Sequence, residues 1–456
     1  MKSFYDSVSK SLASIVASVV LAGGLSGCGE FESPGVAAGL TDESSPRGVE
    51  AAAPAPPPQP AHLTNPPRNP RAALTRALDA GLLQKGQTNN EKLRLMLEVA
   101  GVPEASQVLV FSKTSLQFSL ISPNTPRAIY FSDNCYVGYV PGGLVEYGDA
   151  DPDPEVGSGM FSVDLREHEA ASLTFDTSCA ACHEGGRTNG RPGFFIRSVF
   201  PRPDGHVITS AGSTDVGHDT PLAKRWGGWY VTGQSGNAHH RGNQVAVEQA
   251  NGDAYLNNAL GSNLDDLSHR FNTDRYLQPT SDIVALMVLE HQVEMHNLLT
   301  QGRSVVYEQY ERSRSLAEYL KEPFDPGQSD TLQRVIRSNA QRILEHLLFC
   351  DEVALTDAVS GTDRFIDQFR ANRREDRSGR SLKDFNLTTR LFEYRCSYMV
   401  YSQAFDMMPK LLKTAVLDKL RGVLTGEDND EAFDHLSKHE RQAIFEILVE
   451  TGVLDA

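Results

Sequence analysis

The spacing of apolar residues changes character several times along this chain. Leu12 to Gly27 is one apolar, small-residue run behind Lys2 and Lys10, the pattern of an export signal and too short to span a bilayer as a stable helix. From Glu30 to about Pro70 no period exists. This segment is rich in Ala, Pro and Ser, with Pro54-Ala55-Pro56-Pro57-Pro58-Gln59-Pro60 at its centre, so residues 28–70 are expected to form a disordered tether. A helical period then covers Ala72 to Leu83 and Asn90 to Ala100, closed by Gly101 and Pro103. Gln107 to Ser112, Ala128 to Phe131, Cys135 to Val140 and Gly159 to Val163 are short Val-, Ile-, Tyr- and Phe-rich runs between Pro, Gly, Asn and Asp clusters, which predicts strands of a small antiparallel sheet.

Asp164 to Leu173 looks helical. Phe195 to Phe200 and His206 to Ser210 flank Arg202-Pro203-Asp204-Gly205, a hairpin pattern. From Ser281 the period is helical almost to the end: Asp282 to Thr300, Leu332 to Phe349, Arg364 to Asn372, Thr388 to Ala404 and Leu411 to Leu424, then a last helix opened by Ser437-Lys438-His439-Glu440 and closed before Gly452. The expected class is α+β, with a strand-rich region over 71–280 and a mostly helical region over 281–456. No internal repeat is present, and no later apolar run, Ile283 to Leu289 included, is long enough to cross a membrane.

With 456 residues and 40% hydrophobic content the chain has material for a large core. Its net charge of -16 excludes a nucleic-acid-binding surface, which needs clustered Lys and Arg, and suits docking to a basic redox partner. Leu25-Ser26-Gly27-Cys28 resembles the lipobox of bacterial lipoproteins, in which the signal is cleaved before the cysteine and that cysteine is lipidated. Residues 1–27 would then be the signal and Cys28 the lipid-bearing N-terminus; an ordinary signal peptide is the plainer alternative. Gly29 stands where a retention signal would place Asp, which favours an outer-membrane anchor.

The chemistry centres on Cys179-Ala180-Ala181-Cys182-His183. Two thiols two residues apart reach the two vinyl groups of one porphyrin, and the next histidine ligates the iron, so the motif predicts one covalent c-type haem on Cys179, Cys182 and His183. Half of a zinc site is the competing reading. The Gly-, Arg- and Asn-rich stretch to Gly193 is a loop able to give His183 a backbone carbonyl partner. Of the six cysteines, Cys135, Cys350 and Cys396 are left over, which allows one disulfide, expected between Cys350 and Cys396.

With this motif in its context the chain resembles exported bacterial cytochrome c domain-containing proteins. The matching stretches are Pro126-Arg127-Ala128-Ile129-Tyr130-Phe131, Cys135-Tyr136-Val137-Gly138-Tyr139-Val140, Cys179 to His183, Arg225 to Gly233, Leu289-Glu290-His291-Gln292 with Met295-His296-Asn297, and Arg390-Leu391-Phe392 with Cys396-Ser397-Tyr398. The resemblance implies haem binding and electron transfer but no substrate. Compact class I cytochromes c share only the attachment motif: their methionine ligand follows soon after it, whereas no methionine lies between His183 and Met287.

The iron's other face decides between carrier and enzyme: a second strong ligand makes an electron carrier, and an open face allows a haem peroxidase or oxygenase. Candidates are His206, His218, His239, His240, His291, Met295, His296, Met407 and Met408. His291 is favoured as metal ligand because it lies on the apolar face of the Asp282 to Thr300 helix, where an imidazole needs a partner. Met295 competes one turn on, and His296 would serve as acid or base in an open pocket. Trp226 and Trp229 suit a haem wall or plain core packing equally. Glu290, His291 and Glu294 lack the Glu-x-x-His spacing of di-iron bundles, and neither a phosphate loop nor a Gly-x-Ser-x-Gly elbow is present.

Overall fold

Folded structure begins with a single helical turn, α1 (Ala61–Thr64). Helix α2 (Pro70–Asp79) starts where the Asn69 side chain accepts from the Ala72 amide and Pro70 takes the first turn, where a missing N–H costs nothing. Thr88 and Glu91 form a reciprocal capping box on α3 (Asn89–Ala100), and Gly101 ends it in the left-handed conformation. Leu63 of α1 is buried, and a Cβ on Gly101 would stand 2.7 Å from Pro67. The end of the expected 28–70 tether is therefore not disordered but packed against α3. The computed structural model describes residues 59–150, 159–166, 171–175, 177–249, 253–257 and 261–455; the expected export signal, Cys28 and the rest of the tether lie outside the described residues.

The strands are β1 (Val108–Val110), β2 (Arg127–Phe131), β3 (Cys135–Tyr139), β4 (Val145–Asp149), β5 (Gly159–Val163), β6 (Thr174–Phe175), β7 (Arg197–Val199), β8 (Ser213–Asp215) and β9 (Trp229–Tyr230). Seven of them form an antiparallel sheet in the order β6-β5-β4-β3-β2-β1-β9. Alternation along the strands sorts the side chains onto two faces. Ala128, Tyr130, Val137, Tyr139, Val145 and Val163 pack with Leu74, Leu93 and Met96 of α2 and α3 in one core. Phe131, Tyr136 and Trp229 join the other, which is dominated by the C-terminal helices. The α+β class holds, and the strand-rich and helical regions share that core within one unit, Pro57–Ala456.

Several elements differ from the sequence pattern. β4 is unheralded because Gly148 and Asp149 are poor strand formers. The Arg202 to Gly205 turn forms a short hairpin, with the Arg202 amide donating to the His206 carbonyl, the Ile208 amide to the Phe200 carbonyl and a bridge between Pro201 and Val207, while the longer ladder beyond it pairs β7 with β8. The described ends of the expected Asp164 to Leu173 helix are not helical. Thr388 to Ala404 is not one helix either: the Asn386 side chain accepts from the Thr388 and Thr389 amides, and Arg390 donates to the Phe392 and Glu393 carbonyls. Those side chains take up backbone groups that a helix would use. Cys350 and Cys396 are both free, not disulfide-bonded, with Cys350 donating to the Ala432 carbonyl.

The site is positioned by two helices: the short α4 (Ala180–His183) and the 38-residue α5 (Ile283–Leu320), capped by Asp282. From Ile283 to Leu289 every residue of α5 is buried, and Glu290, His291 and Gln292 are buried too, so its first half is a central helix covered on all sides. Around it pack α6 (Asp330–Leu347), α7 (Asp363–Phe369), α8 (Gln403–Asp406), α9 (Lys410–Thr425) and α10 (Lys438–Glu450). No described helix is long and apolar enough to cross a membrane.

Candidate functional site

Cys179, Cys182 and His183 line a cleft of about 1240 Å³, counting its open mouth. The sheet forms one wall and the loop from Phe194 to Arg197 another, and Trp229 with Leu289 and Val293 of α5 also line it. One turn of helix brings both thiols and the imidazole onto this wall: the Cys182 and His183 amides both donate to the Cys179 carbonyl.

His183 is oriented through its backbone and its ring together. Its Nδ1 lies 2.7 Å from the Gly193 carbonyl, and since a carbonyl only accepts, Nδ1 carries the proton and Nε2 is left as the lone-pair donor. The Gly193 amide returns a bond to the His183 carbonyl. Burial lowers the pKa of the His183 ring, which favours the neutral form that ligates metal. Asn297 of α5 holds the loop: its Oδ1 accepts from the Phe194 amide at 2.9 Å and its Nδ2 donates to the Phe194 carbonyl at 2.7 Å. Phe195 stacks on the His183 ring with centroids 5.2 Å apart.

On the sheet wall, two strand glycines keep the space open. A Cβ on Gly148 would lie 2.7 Å from the Phe194 ring and 3.4 Å from Met160 Sδ, and one on Gly138 would meet the Arg127 guanidinium. A glycine inside a strand marks close approach by another group. Arg127 Nη2 pairs with Glu146, whose carboxylate also accepts from Gln117 and Ser115. Arg127 and Arg197 both line the cleft, and the Nε of each is buried without a hydrogen-bond partner. A flat apolar group with carboxylates fits this donor set in part: apolar walls for its faces, two thiols and an imidazole at one side, and the Arg197 guanidinium for an acid, with Arg127 already paired to Glu146 in the same lining.

None of the candidates for the second ligand lines this cleft. Leu289 and Val293 face it, and His291, two residues from each, lies about 200° around the helix. The favoured ligand therefore points away, because the apolar stripe that suggested it belongs to a helix buried on every side. His291 packs instead against His218, His346 and Phe349, with its Nε2 2.7 Å from Ser397 Oγ. His206 is on the surface beside Asp204, His239 is exposed, His240 packs on Trp226, Met295 and Met408 are core residues, and Met407 is half exposed. His296 Nδ1 shares a 2.6 Å hydrogen bond with the Tyr136 hydroxyl, and Tyr136 lines the cleft. The tryptophans divide between the two readings: Trp229 lines the cleft, whereas Trp226 donates to Glu290, which Arg225 Nη1 also reaches at 2.8 Å.

The cleft residue that sequence reasoning passed over is Met160 of β5, the methionine on the wall. It precedes the motif in the chain, so a search downstream of His183 could not reach it; strand alternation, which puts it on the face of Tyr136 and Gly148, could have. No family model, curated protein or solved structure matches this chain.

Proposed function

We propose that this chain is an extracytoplasmic, lipid-anchored protein that carries one covalent c-type haem in the cleft and works in electron transfer with a redox partner protein. The observation that carries the reading is the grouping of both motif thiols with a histidine whose Nδ1 is committed to a backbone carbonyl. Such a carbonyl bond fixes the tautomer and the ring direction of a metal ligand. The bound group would supply a one-electron couple. Cys179 and Cys182 would hold it, His183 would ligate its iron, Arg197 would meet one of its acids with Arg127 and its partner Glu146 nearby, and the apolar lining would limit water. Met160, the methionine on the sheet wall, would supply the second ligand, a pairing that raises potential in cytochromes c.

A peroxidase or oxygenase is the second reading, favoured by the Tyr136 and His296 pair beside the cleft, which could move a proton at an open iron face. The ferric protein's optical and electron paramagnetic resonance spectra separate the two, taken with and without Met160→Ala. Low-spin wild type that becomes high-spin in the variant supports the carrier. High-spin wild type that binds cyanide or reacts with peroxide moves the enzyme to first place. Protein matured in a haem-attaching host that carries no covalent haem overturns both.

A further inference from the structure

On the side of α5 away from the cleft, three imidazoles meet. His218 comes from the loop after β8, His291 from α5 and His346 from α6, and one ring nitrogen from each lies within 4.8 Å of the others. His218 Nε2 donates to the Cys350 carbonyl at 3.0 Å and His346 Nε2 to the His291 carbonyl at 3.0 Å. Carbonyls only accept, so both neutral rings carry their proton on Nε2 and present Nδ1 as a bare lone pair. The Nδ1 atoms of His218 and His291 face each other at 3.0 Å.

Two lone pairs cannot face each other at that distance, so something positive belongs between them. A proton on His291 Nδ1 serves if Ser397 donates to His291 Nε2. A metal ion serves equally, and then His291 moves its proton to Nε2 and the Ser397 hydroxyl accepts, with no net proton gained or lost. Histidine ligands commonly have such an N–H partner, and two of the three here are backbone carbonyls. Arg225 stiffens the first loop by donating from Nη2 to the His218 carbonyl while its Nη1 reaches Glu290.

The three rings are also approachable. His218 and His346 line a second cleft of about 920 Å³, open to solvent, where Asp219, Glu294, Glu345 and Asp351 stand against a single arginine, Arg342. This field draws cations in.

We propose that His218, His291 and His346 bind one borderline divalent transition-metal ion of the zinc class, with a further coordination position toward the acidic cleft. Imidazole suits this class, and three protein ligands with one position left is the coordination of reactive rather than purely structural zinc. Ligation at about 2.0–2.1 Å in a tetrahedron sets nitrogens roughly 3.4 Å apart, and the three rings now lie within 6–21° of parallel. His218 and His291 must therefore move apart, and the His346 ring must rotate about its Cβ–Cγ bond to aim its lone pair at the ion. The site is separate from the haem reading and stands if that reading fails.

The test is calorimetric titration of the chelator-treated full chain with Zn²⁺, followed by zinc-edge X-ray absorption on the loaded protein. One tight site per chain with imidazole nitrogens in the first shell is expected, and His346→Ala, at the partly exposed ligand, should weaken it by about a hundredfold or more. Glu345→Gln should leave affinity within a few fold. Absence of a stoichiometric site, an oxygen-only shell, or equal affinity in His346→Ala overturns the proposal. Should that variant misfold, the wild-type first shell still decides.

Discussion

The two faces of α5 carry chemistry assembled in opposite ways. On the side of Leu289 and Val293, the functional groups sit within five consecutive residues, Cys179 to His183, and the carbonyl that orients the histidine is ten residues further on. On the opposite face, His218 and His346 stand 73 and 55 residues from His291 in sequence and meet it only in the core. The first arrangement leaves Cys182 exposed and His183 half-buried. The second places His291 where no part of it is exposed. A site fixed by a local turn tolerates an open setting, whereas a site fixed by tertiary contacts needs a rigid interior to hold its parts together.

The largest effect should come from replacing both thiols. Cys179→Ala with Cys182→Ala is expected to abolish haem that survives denaturation, read by haem staining of a denaturing gel, and to leave zinc stoichiometry unchanged. Loss of both activities together would break the separation between the faces. Next in size is Glu290→Ala, which strips the partner from Arg225 in a pair whose side chains are 5% and 0% exposed. Leaving a buried guanidinium unpaired should cost about 3–5 kcal/mol in urea unfolding. A loss under about 1 kcal/mol would mean that water reaches this pair, and with it the neighbouring His291.

The smallest effect is a slope with pH. Burial holds His296, beside the cleft of Cys179 and Cys182, near about 4 and His240, beside Trp226, near about 3, while unfolded histidine titrates near about 6.5. Below that value the unfolded chain binds protons that these folded rings refuse. Stability is therefore full above pH 6.5 and falls as pH drops through the window, by up to about 1.4 kcal/mol per pH unit for each ring. Urea midpoints of wild type, His296→Gln and His240→Gln between pH 7 and 5 check this. A flat wild-type profile would contradict the burial of both rings, and a slope reduced by only one variant would assign the larger share of acid sensitivity to that ring, with His218 and His346 adding to what remains.

Much of the framework could be read in advance because short-range forces decide it. The α3 capping box at Thr88 and Glu91, the Gly101 stop and the Ser437 cap on α10 act within a few residues and formed where their residue types stand. Strands β2, β3 and β5 followed their β-branched and aromatic runs. Thr388 to Ala404 failed because its helical period was undone by side chains of Asn386 and Arg390 that reach backbone groups first. β4 was missed because Gly148, which weakens it locally, is there to clear space for a contact far away in the chain.

The amino-acid sequence by itself determined the Cys179 to His183 spacing, the loop whose Gly193 carbonyl orients His183, and the apolar stretch that became α5, since each depends on neighbours a few positions apart. Only the tertiary structure decided which way α5 turns its residues. Because that helix is enclosed on all sides, hydrophobic periodicity carried no direction, and the packing of the sheet against one face and α6 against another sent Leu289 toward the cysteines and His291 toward His218 and His346. Met160 and Arg127 joined the cleft for the same reason: strand pairing brings distant residues onto one wall, and that pairing is fixed by the assembled sheet, not by any segment alone.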